Sequence, residues 1–327
     1  MKKKGYVIVL FVITSIICCQ SALACFKSHK DDFVITGYLN SNWINQKTNL
    51  EFIPYLDRIF FFGMSPDADG NFVVTDKYIN NYKLVRSKLK KGQEILLVIG
   101  GGGLVANMHT MGNDSIKREE YIKKVTDFAI KYDFDGIDID WETDRTTGVA
   151  KYVPTENLIA LINGIKKRTP KGFIITASMH NSSVQQTLDI YPLLEDVNLR
   201  FYASLNKEGL QAPLYTVKEG LEKFERKNVP ASKLLVGLSF YGRSPDRGTI
   251  YYRDIVDNLE LGDTITNIYK EHSFNSVADV REKIKFFKEK GYKGVMIWEL
   301  TQDAPYSHPM SLLRAIYNES KKVKKNK

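Results

Sequence analysis

From Phe33 onward the chain alternates short apolar runs, rich in β-branched and aromatic residues, with longer segments whose apolar positions recur at helical spacing. The runs are FVITGYL (33–39), RIFFFG (58–63), EILLVIG (94–100), FDGIDIDW (134–141), FIITASM (173–179), VNLRFYA (197–203), LLVGLSF (234–240) and GVMIW (294–298). All eight read as strands. Between them, sets such as Tyr121, Val125, Phe128 and Ala129, or Leu158, Leu161, Ile162 and Ile165, fall on one face of a helix. Strands that are apolar throughout and separated by helices predict parallel pairing with both faces covered. Eight strand–helix repeats with no Pro- or Ser-rich linker predict an α/β fold, a single closed (β/α)8 TIM barrel, rather than two packed domains.

The longest connection runs from Tyr241 to Tyr292 and holds the turn-rich SPDRG (244–248) and a helix from Val277 to Lys290. Only about 30 residues remain for an excursion, too few for a sizeable α+β insertion domain. A dinucleotide-binding fold would want its glycine fingerprint early, opening a helix. The one glycine cluster here, Gly100 to Gly103, instead follows the third strand, and no Lys-Ser or Lys-Thr comes after it. It predicts a tight turn that lets a ligand or a neighbouring strand come close, and no nucleotide or redox cofactor is implied.

The N-terminus changes the picture of where the protein works. Lys2, Lys3 and Lys4 precede an apolar run from Tyr6 to Ile17, and Ala22-Leu23-Ala24 completes the charge, apolar core and small-residue order of a secretory leader. The expected organisation is a signal peptide at 1–24, a catalytic barrel at 25–320 and a basic tail at 321–327. Secretion is the expectation, with lipid attachment at Cys25 as the alternative; no later apolar run is long enough for a stable membrane span. The three cysteines, Cys18, Cys19 and Cys25, lie in or beside the leader, so no internal disulfide is available to the body. Of the formal charge of +9, the leader lysines contribute three, leaving +6. Much of that sits in the tail, KKVKKNK, which reads as a solvated end. No aromatic stripe accompanies these lysines, so nucleic acid is not an expected partner. A monomer is expected.

The most informative stretch is DGIDIDWE, residues 135–142. In a strand, Asp138, Asp140 and Glu142 share one face while Ile137, Ile139 and Trp141 share the other. Asp135 falls out of that parity and shapes the preceding turn with Gly136. Three carboxyls converging inside a barrel repel one another, and at least one is expected to hold its proton near neutral pH, which suits a general acid. Glu142 comes last, at the C-terminal end of the strand, the catalytic face of such barrels. Metal binding and a purely structural ion-pair cluster are the alternatives. Against a metal, only His180 of the five histidines falls at a predicted strand end.

These residues resemble the D-x-x-D-x-D-x-E signature of family-18 glycoside hydrolases, the chitinases and their relatives, and they fall on the predicted fourth strand, where the family carries it. Gly37-Tyr38, Gly100-Gly101, KLLVGLSFYGRS (233–244) and GVMIWEL (294–300) are similar to the family's first, third, seventh and eighth strands, so the resemblance runs from about Phe33 to Tyr317. It implies hydrolysis with retention in which the substrate's own N-acetyl group attacks the anomeric carbon, outside the usual two-carboxylate scheme. By position it implies that Glu142 is the general acid and base, that Asp140 orients the acetamide, and that Asp138 stands behind Asp140. Tyr202 matches the tyrosine that bonds the acetamide carbonyl, and Trp298 the floor under the sugar. Tyr38, Tyr241, Arg243 and Trp141 are further substrate-binding positions, and Trp43 is a candidate for sugar stacking. No metal is needed.

Three positions depart from the family pattern. Val98 stands where a serine usually bonds the inner aspartate, and the sixth strand reads Asn198-Leu199-Arg200-Phe201-Tyr202-Ala203 in place of Asn-x-Met-x-Tyr-Asp. Val98 leaves a buried acid in need of another donor. Arg200 shares the face of Tyr202 and, pointing inward, would favour an ionised Asp140. The expected function is an exported, endo-acting chitinase for chitin or N-acetylglucosamine glycans. An endo-β-N-acetylglucosaminidase of N-glycan cores and a chitin-binding lectin with little catalysis are the alternatives.

Overall fold

The structure, a computed structural model, describes residues 33–322 apart from positions 68, 72, 73, 146, 149, 203 and 260–266. The expected leader, Cys25, Ala203 and the tail from 323 onward lie outside the described residues.

The strands are β1 (Val34–Asn40), β2 (Arg58–Met64), β3 (Glu94–Gly100), β4 (Gly136–Asp140), β5 (Ile174–His180), β6 (Asp196–Arg200) and β7 (Leu234–Ser239). The short strands β8 (Tyr241–Ser244), β9 (Gly248–Tyr251), β10 (Ile268–Tyr269) and β11 (His272–Ser273) follow, and then β12 (Gly294–Trp298). Strands β1 to β7 and β12 form a closed barrel in the order β1-β12-β7-β6-β5-β4-β3-β2, with parallel pairing throughout. The principal covering helices are α1 (Asp76–Arg86), α2 (Val105–Asn113), α3 (Ser115–Lys131), α4 (Thr155–Arg168), α5 (Val184–Ile190), α6 (Leu214–Glu225), α7 (Tyr252–Val256), α8 (Val277–Lys290) and α9 (Leu312–Ser320). The eight apolar runs are therefore the eight barrel strands.

Alternation along each strand separates two cores. Outward residues such as Ile35, Ile59, Leu97, Ile137, Ile139, Val197, Val236 and Val295 belong to the large apolar layer beneath the helices. Inward residues, among them Tyr38, Phe60, Leu96, Val98, Leu235 and Met296, form a smaller cluster filling the lumen. Helix boundaries follow local chemistry. Helix α8 begins at a capping box, in which Ser276 accepts from the Asp279 N–H and the Asp279 carboxylate accepts from the Ser276 N–H, and ends at Gly291 with φ 74°.

The N-terminal end of the barrel is closed by charge. Arg58, at the start of β2, donates from Nη1 to both Asp196 oxygens at 2.8 and 3.1 Å and from Nε to Glu94 at 2.7 Å. Asp135 closes the same end, accepting from the Ile95 N–H at 2.8 Å and from Arg86 at 2.6 Å. In the long connection, β8 to β11 form a small antiparallel sheet in the order β10-β11-β8-β9. Among the described residues, no large insertion domain is built there.

Candidate active site

Strand β4 carries Asp138 and Asp140 inward, and the chain then leads Glu142 to the mouth of the barrel. Asp138 is fully buried and Asp140 is 4% exposed, while the Glu142 side chain is one-third exposed at 33%. Burial thus falls along the row from the lumen to solvent.

Asp138 is held by three donors. The Tyr38 hydroxyl donates to Oδ2 at 2.6 Å, and the Thr176 hydroxyl and the Asn198 amide donate to Oδ1 at 2.6 and 2.9 Å. Val98, its direct partner in register on β3, is apolar and contributes none. With no donor from Val98, the carboxyl takes its bonds from Thr176, Asn198 and Tyr38. Burial pushes the Asp138 carboxyl up to about 6 even though the Thr176 and Tyr38 bonds pull it down.

Asp140 has a cation beside it. Arg200, on β6, donates from Nη1 to Asp140 Oδ1 at 2.5 Å, and the same nitrogen lies 2.9 Å from Glu142 Oε1. Burial raises the Asp140 carboxyl; Arg200 opposes that rise, while Glu142 and Asp138 add to it. The backbone around Asp140 is fixed from β3. The Gly101 N–H donates to the Asp140 carbonyl at 2.7 Å, and a Cβ on Gly100, whose φ is +97°, would lie 2.4 Å from that oxygen. The glycine cluster therefore serves close approach of a neighbouring strand. His109 on α2 reaches the Glu142 carbonyl at 2.9 Å and ties the segment after β4 to the helix layer.

Aromatic rings line the other side of the mouth. Trp298 packs against Tyr38 at 5.4 Å between centroids, Phe62 at 5.3 Å and Trp43 at 6.4 Å; Trp43 in turn lies 6.0 Å from Tyr251. Beyond them a hollow of about 310 Å³ is bordered by Trp43, Tyr251, Arg253 and Thr301. Tyr202 is buried in the luminal cluster with its hydroxyl 3.6 Å from the Met296 sulfur. Its carbonyl accepts from the Tyr241 hydroxyl at 3.2 Å. Arg243, half-buried on β8, lies within hydrogen-bonding reach of the Tyr241 hydroxyl.

Trp141 is placed differently from the expected substrate-binding position. It follows the outward parity of Ile137 and Ile139, is 4% exposed, and packs beneath α2 with its ring edge where a Cβ on Gly112 would stand. Its role is to seat that helix. Sequence reasoning also passed over Thr176, Asn198 and His109. The first two were within reach, because both share the inward parity of their strands and stand on β5 and β6 facing β4.

Residues 29–303 match the family model described as Glycosyl hydrolases family 18. Among curated proteins, the chain is 28% identical to the endochitinase of Manduca sexta over 308 aligned positions, which take in 72% of this chain and 55% of that one. It is 24% identical to Chitotriosidase-1 of Mus musculus over 290 positions, 69% of this chain and 61% of that one. The chain thus spans little more than half the length of the curated relatives it matches. A solved chitinase structure from Bacteroides thetaiotaomicron superposes with a TM-score of 0.77 at 23% identity, covering 88% of this chain and 96% of that chain, a likeness of fold. With the signature acids on β4 of a closed barrel and the family model spanning most of its length, the chain belongs to glycosyl hydrolases family 18.

Proposed function

We propose that this protein is an exported glycoside hydrolase that cuts internal β-1,4 bonds of chitin, or of its N-acetylglucosamine oligosaccharides, with retention at the anomeric carbon. The observation that carries the reading is the graded row Asp138, Asp140, Glu142 beside the aromatic floor of Trp298 and Tyr38. Relatives named as chitinases support the substrate class.

In this reading a sugar lies over Trp298, and Glu142, the one partly exposed carboxyl of the row, protonates the glycosidic oxygen. The acetamide oxygen of the same sugar attacks the anomeric carbon, the leaving sugar departs with the proton, and an oxazolinium forms. Asp140 accepts from the acetamide N–H and offsets the growing positive charge. Asp138, under its three donors, stands behind Asp140 as the buried end of the row. Glu142 then takes a proton from the water that opens the ring. Internal cutting is supported by the small antiparallel sheet that, among the described residues, stands where a large insertion domain would wall the mouth, and by the hollow past Trp43 that would receive further sugars. The Lys-rich, apolar, small-residue leader supports export.

Proton NMR of the first product released from chitin tetrasaccharide tests the reading. Retention delivers the β anomer before mutarotation, and α anomer as the first product would contradict it. Arg200 and the unusual sixth strand favour one second reading, release of N-linked glycans by cleavage within their chitobiose core. Mass spectrometry of a high-mannose glycoprotein treated with the enzyme separates the two.

A further inference from the structure

The substrate-assisted mechanism uses the three acids and gives Arg200 no task. Its side chain is 11% exposed, at a position where the resemblance leads one to expect a methionine, and a single nitrogen spans Asp140 and Glu142 at 2.5 and 2.9 Å. That nitrogen occupies Asp140 Oδ1, and so competes with any donor that a substrate would bring to that oxygen. A fixed cation also disfavours a second positive charge formed close by.

Among the described residues, the charged and titratable groups that face Arg200 come from several elements around the mouth. Asp140 comes from β4 and Glu142 from just after it, Tyr38 from β1, Tyr202 from just after β6, and His180, the partner of Arg200 in register, from β5. Met296 and Trp298 on β12 and Val98 on β3 bring no charge. Within this set Arg200 is the cation closest to Asp140 and acts against the burial that favours protonating it.

We propose that Arg200 is a positioning residue that gates the site: its one Nη1 clamps Asp140 and Glu142 together at rest and has to release Asp140 Oδ1 before an acetamide N–H can bind there. This inference rests on the substrate-assisted reading for its kinetic consequences, but the clamp itself is measurable without substrate. The sign of the pH effect follows from the charge. Asp140 must be ionised to accept, so activity falls as pH drops through its titration, and removing Arg200 moves that fall to higher pH.

The test uses the full chain, with carboxyl carbon NMR titration and initial rates on chitin tetrasaccharide, in wild type, Arg200→Met, Arg200→Gln and Arg200→Lys; Asp140→Asn assigns the resonance. The two neutral variants are expected to raise the Asp140 midpoint by about one pH unit or more, while Arg200→Lys stays near wild type. The acidic limb of kcat should move up with it, and kcat above the limb should rise severalfold because the competitor is gone. An unmoved Asp140 midpoint, or an even loss of kcat at every pH, would overturn the proposal. If no form of the chain cleaves the substrate, the hydrolase reading fails while the titration still decides the clamp.

Discussion

Asp138 shows how a buried carboxyl is satisfied when its register neighbour on one side is apolar. With Val98 beside it, the carboxylate depends on Thr176, Asn198 and Tyr38, each within 2.9 Å. Thr176→Val removes one donor from a buried ion and is expected to cost about 1–3 kcal/mol in urea unfolding at pH 8. The cost should shrink at pH 5, where Asp138 carries its proton and the lost bond is no longer charge-assisted. An equal cost at both pH values would contradict the assignment. The role of Asp138 as a buried acid was legible in the parity of DGIDIDWE. Thr176 and Asn198 were not read as its donors, because Thr and Asn are common on strands for many reasons and only the closed barrel brings β5 and β6 round to Asp138.

Strand β4 and helix α2 are fitted to each other through one glycine. A Cβ on Gly112 would lie 2.0 Å from the Trp141 ring, which is buried and has no room to turn aside. Gly112→Ala is expected to destabilise by about 1–3 kcal/mol, the usual cost of overfilling a packed core. It should also lower turnover, since α2 carries His109 and Trp141 adjoins Glu142; full stability and full activity in this variant would contradict the fit. At this scale the eight barrel strands were legible because apolar runs of five to eight residues repeat with helices between them. Strand β6 ends at Arg200, three residues before the expected limit, where the chain leaves the barrel. The small sheet of β8 to β11 went unread because strands of two to four residues are too short to show a period.

For the whole molecule, buried acids set the response to pH. Burial raises Asp138 to about 6, Asp303 to about 6 and Glu299 to about 7, all above their ordinary values. The folded state therefore binds more protons than the unfolded chain between about pH 4 and 7, and stability contributed by these groups is present below pH 4 and lost as pH rises through 6 to 7. Carboxyls shifted the other way, such as Asp67 and Asp114, are exposed at the surface, where screening weakens their effect. Calorimetry is expected to show a lower Tm at pH 7.5 than at pH 4.5, with a shallower slope in Glu299→Gln; a Tm that rises over this range would contradict the account. The barrel's closed end has a separate dependence. Arg58→Met strands Asp196 without its main partner and should cost about 3–5 kcal/mol at neutral pH, read by chemical unfolding.

If Glu142 is the acid with which the row cleaves chitin, replacing it must separate cleavage from binding. Wild type and Glu142→Gln are given chitin hexasaccharide, and the products are followed over time by mass spectrometry, with binding of the oligosaccharide measured alongside. Short N-acetylglucosamine oligomers, internal cuts included, are expected from the wild type alone, with oligosaccharide binding near wild type in Glu142→Gln. Equal cleavage by the variant, or binding without cleavage by the wild type, would contradict that assignment.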